Sequence, residues 1–376
     1  MIITVEHAIF TEAVTWVART IPNRPAVPVL AGMRIVAGED GVVSLGSRDS
    51  DITSHIDIEA TVDEPGEVLV NGKLLADICR SLPNKEITLQ LDGGKLEISC
   101  GNSRFSMQIM AGEDYAELPE MPPVIGTVDG TEWQEAVTQV SIAASNDDTL
   151  PMLVSICVEI SGDTISLMAT DRYRLAIRDI SWTPVKSDIE TRFLVRASRL
   201  LDFAKALGTT GKVEISLQEE GPAALIGFST GGMQNTIQLI DGEYPQVRSL
   251  FPTEVEGYAV MERQEILEAV KRSRLVAEKN SPVRLSFSAG EVLVEAGQRD
   301  SAQASEVLPA QLTGEDITMS FNPLFLQEGF GVMGEKDVRL SFTQATKPAV
   351  LVGEKEGEVN NDFRLLLMPI RTVAAN

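Results

Sequence analysis

Cysteine, histidine and aromatic residues are scarce in this chain: three Cys, two His and 5% Phe, Trp and Tyr among 376 residues. Cys79, Cys100 and Cys157 lie far apart, without metal or disulfide spacing, so free thiols in a reducing cytoplasm are expected. His7 and His55 both fall in the first third, and neither sits in a catalytic pattern. No apolar run approaches the roughly 18 residues that would cross a bilayer. The opening "MIITVEHAIFTEAV" lacks the basic start, apolar stretch and cleavage site of a signal peptide, and reads as a strand running straight into a helix. Missing too are a glycine-rich phosphate loop and a nucleophile elbow. The "GTTGK" of residues 208–212 has no Ser or Thr after its lysine and reads as a turn. These absences point to a cytoplasmic non-enzyme with no cofactor and no metal.

Positive charge is also in short supply. Against 55 acidic residues stand 32 Lys and Arg, a formal net charge of −23. Such an average repels a DNA duplex, which carries about one negative charge per 1.7 Å of axis, and its simplest consequence is solubility. An average does not say where the basic residues sit. Length, with 43% hydrophobic residues, is too great for one ordinary core and suits two or three domains.

What the chain does have is repetition. "LVNGKLLADICRSL" (69–82) returns 125 residues later as "LVRASRLLDFAKAL" (194–207), with Arg80 answered by Lys205. "MQIMAGE" (107–113) returns as "IQLIDGE" (237–243), each followed by a connector bearing Tyr and Pro. "VPVL…SLGSRD" (27–49) matches "LPML…SLMATD" (150–171), and a weaker third copy runs through "SPVRLSF" (281–287) and "FNPLFL" (321–326) to a terminal "LLLMPIR". Three homologous domains follow, at 1–126, 127–254 and 255–376, with boundaries after Pro-rich, turn-prone connectors.

Each copy opens on a helix: "EHAIFTEAVTWVAR", "TEWQEAVTQVSIAA" and "RQEILEAVKRSRLVA". In the first, Ile9, Ala13, Trp16 and Val17 form a stripe at helical spacing. Alternating strands such as "GVVSLGS", "DTISLMAT" and "GEVLVEA" follow, then a second helix, then more strands. The expected fold is α+β, three repeated domains of two helices packed on antiparallel sheets. Asp49 and Asp171 recur at one place in the repeat and read as turn-capping residues. Despite the acidic total, helix positions carry Arg19, Lys73, Arg80, Arg199, Lys205, Lys271, Arg272 and Arg274, while acids gather in turns such as "AGED", "VDEPGE" and "GEKEGE". Any one of these is an ordinary solvated charge; recurrence at one phase argues for a shared basic surface.

The motifs "RPAVPVLAG" from Arg24, "DICRSLP" from Asp77, "SRFSMQ" from Ser103, "DDTLPML" from Asp147, "ATDRYRLA" from Ala169, "DGEYPQVRSLFP" from Asp241, "SFNPLFL" from Ser320 and the closing "LLLMPIR" together resemble the bacterial DNA polymerase III beta subunit, the sliding clamp family, over essentially the whole chain. The resemblance implies a crescent of three clamp domains, and two such crescents closing head to tail into a homodimeric ring around double-stranded DNA. Twelve helices at roughly 10 Å each make a circumference of about 120 Å and a hole nearly 40 Å wide, ample for a duplex on the order of 20 Å across. Basic helices inside and acids outside would let the ring hold DNA by topology and slide on weak, sequence-independent phosphate contacts.

By the same resemblance, DNA contact falls on Arg24, Lys73, Arg80, Arg199 and Lys205, with Arg199 offset from the family's usual basic pair. A hydrophobic pocket for short linear motifs takes in Leu153, Thr170, Arg172, Arg174, Leu175, Pro245, Ser249, Leu250, Asn322, Phe325, Thr346, Pro348 and the tail residues Leu366, Leu367, Met368, Pro369, Ile370 and Arg371. Its expected occupants are segments of the DNA polymerase III alpha subunit, the clamp loader, and other polymerases and repair proteins. Arg172 and Tyr173 stand where some members have Gly-His, and Asn280 where some have Phe. The ring interface is expected at Phe105, Met107, Leu275 and an Arg104–Glu306 pair, although Phe105 and Leu275 fit a core position as well. Two rival roles keep part of this reading: a repeat scaffold that never meets DNA, and a paralogous clamp that confers resistance to a clamp-directed inhibitor.

Overall fold

The computed structural model describes residues 1–206, 211–219, 224–278, 281–297 and 302–371. All six helices that the repeat predicts are present: α1 (His7–Val17), α2 (Gly72–Ser81), α3 (Gly130–Ser141), α4 (Ala197–Ala206), α5 (Arg263–Arg274) and α6 (Pro323–Val332). The second helices of the first and third copies start in a related way. Asn71 caps α2 by accepting a 3.0 Å bond from the Leu74 amide, and Asn322 caps α6 through the Leu324 amide at 2.9 Å. Pro323 at the first position of α6 gives up an amide that had no helical partner. A small residue then follows the cap of α2 for a steric reason: a Cβ on Gly72 would lie 2.3 Å from Ile21 Cδ1 and 2.8 Å from Met33 Cβ.

By its contacts the chain divides into two compact units. The first holds 1–130, 183–186 and 205–239; the second holds 131–182, 187–204 and 240 onward. This division crosses the sequence repeat because strands of one copy join the sheet of the next.

In the first unit, Ile2–Val5 runs directly into α1 and sits in a five-stranded sheet between Thr61–Glu64 and Ile87–Asp92, followed by Lys95–Cys100 and Ser103–Gln108 at the edge. A second antiparallel sheet runs Gly66–Asn71, Gly32–Ala37, Val42–Arg48, Ile52–Glu59, then Met233–Ile240, Leu225–Thr230, Lys212–Gln218 and Val124–Asp129. Ile52 pairs with Ile237 and Ile56 with Met233, so strands 180 residues apart in sequence share one ladder. This seam is polar inside: Thr53 and Thr236 hydroxyls meet at 2.6 Å, and buried Asn235 donates to the Thr53 carbonyl at 2.8 Å and to Ser54 Oγ, which also bonds Thr20. Helix α1 buries Phe10, Ala13, Val14, Trp16 and Val17 against Leu75, Ala76 and Cys79 of α2. Ile9, placed on the buried stripe by spacing, is exposed instead. Positions 10, 13, 14 and 17 follow the i, i+3, i+4, i+7 rule, and Ile9 lies off that face.

The second unit repeats the seam. Its main sheet runs Glu190–Arg196, Ser155–Ser161, Thr164–Thr170, Arg174–Ser181, then Glu358–Leu367, Ala349–Lys355, Asp337–Phe342 and Gly257–Glu262. Here Arg174 pairs with Leu367 and Leu175 with Leu366. Helix α5 opens on a Glu262 cap to the Glu265 amide and ends on Lys271, Arg272 and Arg274, cations placed where the helix dipole favours them. A four-stranded sheet in this unit runs Gln303–Pro309, Glu291–Gly297, Val283–Ser288 and Ile317–Phe321.

All three cysteines are free and buried. Burial pushes the Cys79 thiol up to about 12, and burial raises Cys157 too, against the opposing pull of the Arg192 guanidinium. Thiolate is the nucleophile, so the folded chain is expected to resist a thiol reagent at pH 8 and to react at three sites after denaturation. Rapid reaction of the native protein at Cys79 or Cys157 would contradict this packing.

Candidate nucleic-acid surface and peptide-binding site

The basic candidates of the first unit come together around α2. Arg24 is exposed in the loop after α1, and its neighbour Asn23 accepts a 2.5 Å bond from the Lys73 ammonium at the start of α2. Arg80 lies seven residues after Lys73, on the same helical face. It is exposed and reaches Asp77 at 2.5 Å, a surface pair worth little to stability. On α4, Lys205 is exposed in the last turn, while Arg199 is half-buried.

The peptide-pocket candidates lie in the second unit and follow from its seam. Leu175 and Leu366, directly paired across the ladder, form a floor with Cys157, Met168, Ile177 and Leu194. The connector after Met233–Ile240 folds over that floor through Tyr244 and Val247, leaving Pro245, Ser249 and Leu250 exposed beside it. Leu153 and Thr170 are buried, Asn322, Phe325, Pro348 and Pro369 are half-buried, and Thr346 and Arg371 are exposed.

Beyond Leu367 the tail stays ordered because two carbonyls hold it: Met368 N donates to Tyr173 O at 2.9 Å, and Ile370 N to Ser320 O at 2.7 Å. Met368 therefore remains 40% exposed on a fixed backbone, and Ile370 is exposed near it. Arg174 points into the structure. It bonds Asp171 at 3.0 Å and Glu328 at 2.5 Å, and its guanidinium stacks 4.2 Å above the Phe325 ring. Asp171 also accepts from the Tyr173 and Arg174 amides, the turn-capping role its place in the repeat suggested. Glu328 was absent from the sequence reading, and Tyr173 and Ser320 were named there without these contacts. The latter two act through backbone carbonyls, which leave no trace in residue type; each adjoins a residue that was singled out or a motif end.

Of the interface candidates, Phe105 is 38% exposed and Leu275 is 85% exposed at the end of α5, so neither is a core residue of its own chain. Met107 is different. Its side chain is buried in the first unit's core. Glu306, expected opposite Arg104, is held within the chain by both Nε and Nη2 of Arg272, at 3.0 and 2.6 Å; Arg104 is exposed. Asn280, residues 298–301 and residues 208–210 of the "GTTGK" segment lie outside the described residues.

Among the described residues, no group of three or more His, Cys, Asp or Glu is arranged to hold a metal ion, and no helix is long and apolar enough to cross a membrane. Family models match almost end to end: the N-terminal domain of the DNA polymerase III beta subunit at residues 1–119, its central domain at 127–246 and its C-terminal domain at 248–371. The chain is 45% identical to the beta sliding clamp of Streptomyces coelicolor, over 99% of both chains. It is 37% identical to the beta sliding clamp homolog GriR of Streptomyces muensis, over 98% of both. Among solved structures, the sliding clamp of Pseudomonas aeruginosa bound to griselimycin superimposes with a TM-score of 0.90 at 25% identity, covering 99% of this chain and 100% of that one. With three consecutive domain matches and relatives alike from end to end, the chain belongs to the DNA polymerase III beta subunit family.

Proposed function

We propose that this chain is a beta sliding clamp: two copies close head to tail into a ring around duplex DNA, and the ring tethers the replicative polymerase without catalysing a reaction itself. One observation carries the ring. In the repeat, Ile52–Glu59 and Arg174–Ser181 are counterparts, and each pairs antiparallel with the closing strand of the next copy, Met233–Ile240 or Glu358–Leu367. Two members of that series are left over: Gln303–Pro309 in the third copy and Ser103–Gln108, which closes the first. Both are edge strands among the described residues. An open edge invites another chain. Pairing these two edges between copies repeats the seam a third time, and two such heterologous contacts close a dimer.

The three clamp domains, 1–126, 127–254 and 255–376, then supply twelve helices to the inner wall. Arg24, Lys73, Arg80, Arg199 and Lys205 would meet phosphates there without reading sequence. The tail and connector of the second unit form the pocket for short motifs of the polymerase alpha subunit, the clamp loader and repair proteins, which compete for it. Tethering raises the polymerase's effective concentration at the primer end. Greater identity to the Streptomyces coelicolor clamp than to GriR supports the replicative role over that of a resistance paralogue.

Loading onto nicked circular DNA with a clamp loader, followed by linearisation, tests the reading. The protein is expected to stay on the circle and to slide off the linear form; equal retention on both would end the clamp proposal. Arg24→Glu with Arg80→Glu should leave the melting temperature unchanged and weaken retention, lowering the slope of log affinity against log salt by about 0.9 per lost phosphate contact. Unchanged retention removes these residues from the DNA surface.

A further inference from the structure

We infer that Arg172, with Tyr173 beside it, selects partner peptides that carry a carboxylate next to their apolar anchors; this rests on the peptide-pocket reading above. Only two non-glycine residues among those described have clearly positive φ, Arg172 at 79° and Glu356 at 54°. Glu356 sits with Gly357 in the two-residue turn between Ala349–Lys355 and Glu358–Leu367, where hairpin geometry demands it. Arg172 has no such excuse in its residue type, since glycine suits this conformation far better. Its neighbours hold it there. The Arg172 amide donates to Thr170 Oγ1 at 3.1 Å, the Thr170 hydroxyl donates to the Arg174 carbonyl at 2.7 Å, and Asp171 Oδ1 takes the next two amides. A strained residue that its surroundings over-determine is a pointer to function.

The charge around this turn is divided unequally. Arg174 is buried and committed to Asp171, Glu328 and the Phe325 ring. Arg172 is exposed, and no carboxylate among the described residues lies within 4 Å of its guanidinium. Asp147 is the acid that senses it, but that carboxyl is held below the usual range chiefly by the Thr149 hydroxyl and amide, with Arg172 the smallest contributor. Arg172 is therefore a cation left available at the rim.

Its place makes the charge useful. Tyr173, 59% exposed, gives its carbonyl to Met368 N, so the turn is fixed against the tail that presents Met368 and Ile370. A peptide seated on those apolar groups brings its flanking side chain to the Arg172–Tyr173 rim. There a carboxylate gains a charge-assisted hydrogen bond, the Tyr ring adds a stiff apolar face, and a lysine is repelled.

The test uses three synthetic peptides with the same apolar anchors and Glu, Gln or Lys at the flanking position, titrated against the full-length protein and its Arg172→Gly variant. Glycine relieves the backbone, so the variant is expected to fold. The wild type should bind the Glu peptide about three- to fivefold more tightly than the Gln peptide at low salt, with the difference shrinking in high salt. Arg172→Gly should bind Glu and Gln peptides equally, at the affinity of the wild type for Gln. Equal Glu and Gln affinities on the wild type, or a Glu preference that survives in Arg172→Gly, overturns the inference while leaving the pocket intact. Failure of all three peptides to bind the wild type sinks the pocket reading, and the inference with it.

Discussion

Phe105→Glu converts the dimer to a monomer. Phe105 lies on the free edge strand Ser103–Gln108; the opposing edge strand Gln303–Pro309 carries exposed Val307, and Leu275, at the end of α5, is the most exposed large apolar side chain among those described. Apolar groups of this size gathered on open edges mark an interface. A glutamate on that strand removes a buried aromatic anchor and sets a charge in its place. Hot-spot losses of this kind exceed about 2 kcal/mol, so the dimer constant should weaken by at least about thirtyfold. The monomer itself should fold, because the side chain lies at the rim of its own sheet, outside the packed core that contains Met107. Sedimentation equilibrium reads the mass, and Leu275→Glu, on a residue with even less support from its own chain, should give the same answer. A Phe105→Glu protein that still sediments as a dimer would place the ring interface elsewhere.

Ending the chain after Leu367 abolishes partner binding and spares the fold. A short clamp-binding peptide should bind the intact protein at micromolar affinity, roughly 8 kcal/mol. The truncation removes Met368 and Ile370 and the two amides that bond Tyr173 and Ser320. Leu365, Leu366 and Leu367 stay in the ladder, paired with Ala176, Leu175 and Arg174 on one side and with Leu351, Val350 and Ala349 on the other. The melting temperature should shift by only a few degrees, while peptide affinity falls by at least about a hundredfold. Undiminished binding by the truncated protein would mean that the tail is not a wall of the site.

The two experiments probe devices that were legible to different degrees. Every repeated helix was visible in the sequence, because an amphipathic segment with its cap is a local object: Asn71 before α2 and Asn322 before α6 declare their helices within four residues. Ile9 was misplaced for a reason of the same scale, since one residue of phase decides whether a side chain faces the core or water. The site was legible only by resemblance. Nothing in the spacing of Thr170, Tyr173, Ser320 and Met368 announces that a turn and a strand end will share the tail's hydrogen bonds.

The number of modules and the helices within each follow from the sequence alone. Periodicity and composition act over a few turns of chain, and those features need nothing more distant. Tertiary structure decided which strands pair across the modules, and hence which edges stay open. Ile52 and Ile237 carry no mark of each other, and neither do Leu175 and Leu366. A β-ladder is closed by backbone groups that every residue possesses, so the identity of its partner is written in the packing of whole sheets. The same holds for Arg172 and Arg174, alike in sequence: Arg174 opens a strand and is buried against two carboxylates and a ring, while Arg172 sits in the left-handed turn before it and is left in water.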